Sequence, residues 1–132
     1  MMIYIFFNFK DLKTVAHLYK NIIYNNKNFL RGTFIIANGH GICQVDPSGG
    51  LHYKDTWAST GSGSSYVKSF LNENYKENMT AAQAMEMAAK AVATAIKYDK
   101  SSGGCIRLFN ICEDNTMEKK FLDYYSFGEK SE

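Results

Sequence analysis

Proline is almost absent, at one residue in 132, and no long polar low-complexity run interrupts the apolar residues, which excludes a disordered chain. Cysteine is scarce and odd in number. Cys43, Cys105 and Cys112 have no C-x-x-C spacing, so neither a disulfide framework nor a zinc site is indicated, and a reducing compartment suits them. Excess charge of one sign is also lacking. The net charge is +2 and the basic residues are scattered, which argues against a nucleic-acid surface or a membrane patch as partner. The three histidines, His17, His40 and His52, fall on a helix, a turn and a strand, with no carboxylate or thiol at metal spacing. The spacing indicates no metal.

What remains is a globular composition, 45% apolar and 21% charged, at the length of one ordinary domain. The opening Met1 to Phe9 is apolar but lacks a basic leader and a small-residue cleavage site, and it is far too short to span a bilayer. It reads as a strand, a helix remnant or a consequence of where the chain was started.

Leu12, Val15, Ala16, Tyr19, Ile22 and Ile23 recur at helical spacing behind Asp11, a suitable N-cap, and predict a helix ending near Asn25 and Asn26. Thr33 to Ala37 and Ile42 to Asp46 read as strands of a hairpin around Asn38-Gly39-His40-Gly41. Pro47 to Gly50 then turns the chain into a third strand, Leu51 to Ala58. After Gly61-Ser62-Gly63, the residues Val67, Phe70 and Leu71 mark a short helix ending near Tyr75, with the serine hydroxyls as its natural N-caps. Thr80 with Gln83 is a capping box opening a helix whose stripe is Ala84, Ala88, Ala91, Val92 and Ala95. Small side chains there imply close packing against a flat partner. The two glycines Gly103 and Gly104 are suited to end this helix. Cys105 to Cys112 and Met117 to Leu122 read as a second hairpin, and the tail from Ser126 as loose. The order α-βββ-αα-ββ describes a layered α+β domain over residues 1–132.

Few single motifs point to chemistry. Gly61-Ser62-Gly63-Ser64-Ser65-Tyr66 has tyrosine where a dinucleotide fingerprint needs its third glycine, and neither a P-loop lysine nor a G-x-S-x-G elbow is present. Met79, Met85, Met87 and Met117 read as gap-filling core residues. Asp99 is unusual because a negative charge at a helix C-terminus opposes the macrodipole. A local hydrogen-bonded role would explain it, and a solvated acid is the simpler alternative.

Taken in order, Asp46-Pro47-Ser48-Gly49, Gly61-Ser62-Gly63-Ser64, Asn74-Tyr75 with Met79-Thr80, and Asp99-Lys100-Ser101-Ser102-Gly103-Gly104 resemble the proteasome beta subunits, over about Leu12 to Leu122. Within that family the Gly-Ser-Gly-Ser-Ser-Tyr and Asp-x-Ser-Ser-Gly-Gly-x-Ile-Arg-Leu patterns are most similar to the caspase-like subunit, which cleaves after acidic residues. The resemblance implies an N-terminal-nucleophile hydrolase fold, a four-layer αββα sandwich, incomplete in this chain. In active members an N-terminal threonine attacks the peptide carbonyl while its own α-amino group, aided by an upstream lysine and aspartate, handles the proton. Family motifs map onto Ser62, Asp99 and Ser102, implying that these orient the nucleophile and its amine through hydrogen bonds.

The same resemblance places the threonine, aspartate and lysine upstream of Leu12, where this chain offers only Met1 to Asp11, so the nucleophile itself is not found among its residues. Gly32-Thr33 imitates a propeptide junction but opens a middle strand, and the first lysine after it is Lys54. The turn at Asn38 to Gly41 is shorter than the family usually shows. Absent first strands would leave sheet edges unpaired and apolar surface exposed. The implied role is a beta-type core-particle subunit in ATP- and ubiquitin-dependent protein degradation. Its partners would be other alpha and beta subunits in stacked heptameric rings and unfolded polypeptide substrates. No cofactor is implied, and residence would be cytoplasmic and nuclear. The alternatives are a non-catalytic ring subunit, an inactive truncated product, or another hydrolase of the same fold.

Overall fold

The computed structural model describes residues 11–28, 32–114 and 116–122. The readings of Met1 to Phe9 and of the tail lie outside these residues. Among the described residues eight elements follow one another: α1 (Leu12–Asn25), β1 (Phe34–Asn38), β2 (Gly41–Val45), β3 (Leu51–Lys54), α2 (Ser64–Asn74), α3 (Ala81–Tyr98), β4 (Ile106–Ile111) and β5 (Met117–Leu122). Helix and sheet are mixed in the anticipated order. The chain divides into two compact units, Met1–Gly61 with Ile111–Thr116, and Ser62–Asn110 with Met117–Glu132.

In the first unit Asp11 caps α1, its carboxylate accepting from Lys13 N at 3.0 Å and from the Thr14 hydroxyl at 2.6 Å. Helical spacing places Val15, Ala16 and Ile23 on one buried face, against Ile36, Cys43 and Val45 of the antiparallel sheet β1-β2-β3. Register explains the face. Phe34 pairs with Val45 and Val45 with Leu51, while Ile36 pairs with Cys43, so alternate residues from three strands share one side. Each Val or Ile buried there contributes about 1.5–3 kcal/mol.

The β1-β2 turn is held by Asn38, whose Oδ1 accepts from His40 N at 2.8 Å and Gly41 N at 3.0 Å. Gly39 is required there by a close approach, because a Cβ at that position would run into the Cys112 carbonyl. β3 is shorter than the expected Leu51 to Ala58. Lys54 already pairs with Ile42, next to the end of β2, so the residues after it have almost no partner strand left. The third strand stops because its neighbour does.

In the second unit the capping box of α3 is present in both directions, with Gln83 N donating to Thr80 Oγ1 at 3.2 Å and Thr80 N to Gln83 Oε1 at 3.0 Å. The anticipated stripe on α3 needs correction. Ala89, Ala91, Ala93 and Ala95 are all buried, and residues two apart on a helix point about 200° apart, so α3 is covered on two sides. Ala89 and Ala93, with Met85 and Ile96, pack on Ile106 and Leu108 of the two-stranded sheet β4-β5. Ala95 lies against the start of α2. Val92 falls between these two faces and is 38% exposed.

α3 also ends earlier than its glycines suggested. The last helical residue is Tyr98, and Asp99 leaves the helix in an extended conformation with its N–H still bonded to Ala95 O. Met117, whose apolar side chain predicts a core position, is on the surface. The described surface carries other large apolar groups, including Leu18 and Ile22 on α1 and Phe121 on β5.

Candidate functional site

The turn before α2 and the turn after α3 come together within the second unit. Ser62 Oγ donates to Asp99 Oδ2 at 2.6 Å, across 37 residues of chain, and Ser102 Oγ donates to the same oxygen at 2.6 Å. Ser102 N donates to Asp99 O at 3.1 Å, closing the turn, and Ser101 N makes a longer contact of 3.4 Å to Oδ1. All three residues singled out by motif therefore meet at one carboxylate.

The helix start was expected to use a serine hydroxyl as its cap. Its N-cap is instead Gly63, with no side-chain cap, because the Ser62 hydroxyl is drawn to Asp99. Asp99 tolerates its place at the negative end of α3 for two reasons. The hydroxyls solvate it, and its Oδ2 stands beside Gly63 at the positive end of α2, 3.4 Å from where a Gly63 Cβ would be. Hydrogen bonds from Ser102 first and Ser62 second hold the Asp99 carboxyl below its ordinary value.

Gly63 is the residue that motif reading undervalued. A Cβ there would come within 2.8 Å of Ala95 Cβ and 3.1 Å of Ser102 Oγ, so only glycine lets α2 start this close to the end of α3. Its place between two serines marks an ordinary helix-start turn, and nothing local signals the neighbour. Tyr66 and Tyr98 stack just beside the cluster, with ring centroids 5.7 Å apart.

Chemically the cluster is an acceptor. Each serine proton is committed to the carboxylate, so the lone pairs of both hydroxyl oxygens are left for an outside donor. With an ionised carboxylate behind them they suit an amine or ammonium group.

The other polar features lie elsewhere. His52 Nε2 meets Asp46 Oδ2 at 2.6 Å across the β2-β3 turn, a carboxylate partner that spacing did not reveal. Among the described residues no group of three His, Cys, Asp or Glu side chains is placed to hold a metal ion, and no helix is long and apolar enough to cross a membrane. Thr33 sits inside the chain just ahead of β1, where its carbonyl accepts from Thr60 Oγ1 at 3.5 Å.

A family model of proteasome subunits matches residues 11–111, a span that holds the whole Ser62, Asp99 and Ser102 cluster. The chain belongs to the proteasome subunit family. It is 39% identical over 117 residues to the probable proteasome subunit beta type-1 of Schizosaccharomyces pombe, covering 85% of this chain and 51% of that protein. It is 34% identical to proteasome subunit beta type-6 of Dictyostelium discoideum over 85% of this chain and 54% of the relative. An archaeal relative, proteasome subunit beta 2 of Thermococcus kodakarensis, is 32% identical over 85% of this chain and 58% of its own length. The chain spans about half the length of the curated relatives it matches.

Proposed function

We propose that this protein is a beta-type subunit of the proteasome core particle, in which Ser62, Asp99 and Ser102 orient a nucleophilic threonine and its α-amino group. The observation that carries the reading is the pair of hydroxyls on one oxygen of Asp99, both at 2.6 Å, which together present lone pairs to an amine. The threonine comes from the part of the protein for which this chain has no counterpart, and the full-length form is a threonine-type endopeptidase of the caspase-like class, cleaving after acidic residues. It assembles with other alpha and beta subunits in stacked heptameric rings. Its substrates are unfolded polypeptides delivered by ATP- and ubiquitin-dependent degradation in cytoplasm and nucleus. The similarity of Gly61 to Tyr66 and of Asp99 to Leu108 to that class supports the subtype.

The test uses assembled particles from the source cells, a probe that reacts with N-terminal threonines, and intact mass of this gene's product. A labelled product is expected, with Asp99→Asn lowering the labelling rate by about 10²-fold, the loss typical of a reacting group misplaced by 1 Å. Particles that contain the product unlabelled would establish the non-catalytic ring subunit in its place. A product missing from particles would remove both readings.

A further inference from the structure

Ser62 stands between Gly61, at φ +106°, and Gly63, so its own backbone does little to fix where its hydroxyl points. Asp99, by contrast, is held at the end of α3 by its own turn, its N–H donating to Ala95 O and its carbonyl accepting from Ser102 N. The 2.6 Å bond from Ser62 therefore depends on how the start of α2 is held against α3, where the Gly63–Ala95 approach brings the two together and a second contact close by can fix them. Tyr66, in the first turn of α2, and Tyr98, the last residue of α3, supply one. Their rings are stacked with centroids 5.7 Å apart and planes inclined by 27°, a favoured aromatic geometry. Burial does not account for the pair, since Tyr66 is 39% and Tyr98 56% exposed. The Lys97 ammonium lies 5.3 Å from the Tyr98 ring centroid, a further restraint on that side chain.

We propose that the Tyr66–Tyr98 stack is a clamp that sets the start of α2 against the end of α3, making both tyrosines positioning residues for the Ser62–Asp99–Ser102 cluster. The proposal rests on that cluster being the functional site, but its geometric part stands without any activity. Ser102 is three residues from Asp99 and reaches it through a local turn, so the clamp governs only the Ser62 arm. Loss of the stack therefore imitates loss of the Ser62 hydroxyl and leaves Ser102 in place.

The experiment follows the Asp99 carboxyl carbon by NMR during a pH titration of the full chain. Tyr98→Ala is expected to move the Asp99 midpoint upward by as much as Ser62→Ala does, and Tyr98→Phe, which keeps the ring, to leave it unchanged. In the double variant Tyr98→Ala/Ser62→Ala the shift equals that of Ser62→Ala alone, because both changes remove one and the same bond. Tyr66→Leu provides the same comparison from the other side should Tyr98→Ala fail to fold. An unmoved midpoint in Tyr98→Ala and Tyr66→Leu, or shifts that add to that of Ser62→Ala, would overturn the clamp. In assembled particles the threonine-directed probe should label Tyr98→Ala more slowly than wild type, and Tyr98→Phe at the wild-type rate. Equal rates in all three would overturn the positioning role. A wild-type particle that is never labelled takes away the proposed activity, and the positioning role with it, while the titration still decides the clamp.

Discussion

Gly63→Ala puts the assembly of the site under direct strain. The new Cβ would meet Ala95 Cβ at 2.8 Å, whereas carbons in good contact sit about 3.5–4.0 Å apart, so the start of α2 must retreat by roughly 1 Å. The same displacement takes the Ser62 hydroxyl, now 2.6 Å from Asp99 Oδ2, to about the limit of hydrogen bonding. Overpacking of this kind costs about 1–3 kcal/mol. Urea unfolding should show that loss as a lower midpoint at unchanged slope, and the Asp99 carboxyl should titrate closer to its ordinary value. The partner change isolates the cause. Ala95→Gly alone loses about 1 kcal/mol of helix propensity, but on the Gly63→Ala background it removes the opposing methyl. A favourable coupling of about 1–2 kcal/mol between the two changes is expected. Simple additivity would refute the close-approach argument and leave only the poorer fit of alanine at the N-cap.

Two further outcomes follow from the same unit. Because Asp99 titrates below its ordinary value of 3.8 when folded, its contribution to stability is full above that pH and is lost as pH falls through the lower folded value. Ser102→Ala should weaken this acid dependence more than Ser62→Ala, as read by the Asp99 midpoint and by unfolding below pH 3.8, because the Ser102 bond is the larger cause. Thr80→Ala removes the side-chain acceptor of the Gln83 N–H and should cost about 1 kcal/mol by urea midpoint, with no effect on Asp99, which lies at the other end of α3.

Local chemistry carried a large part of this protein in its sequence. Asp11 before an apolar 3.6-residue repeat, Asn38-Gly39-His40-Gly41 between β-branched runs, and Thr80 with Gln83 each specify an element through groups a few residues apart, and all three formed where they pointed. The family motifs also pointed to Ser62, Asp99 and Ser102, whose side chains the fold brings to one carboxylate. The identity of the elements was legible because caps, turns and amphipathic faces are short-range interactions.

Long-range contacts decided the rest. That β3 stops at Lys54 depends on where β2 begins, and that Val92 is left between two buried faces of α3 depends on what packs to each side. Gly39 and Gly63 looked like ordinary turn glycines. Their need for a missing side chain comes from the Cys112 carbonyl and the Ala95 methyl, which the fold brings across 73 and 32 positions of chain. Ser62 could have capped its own helix, and only tertiary structure handed its proton to Asp99. A residue type states what a group can bond to, whereas the partner it finds is set by the packing of helices that are distant in sequence.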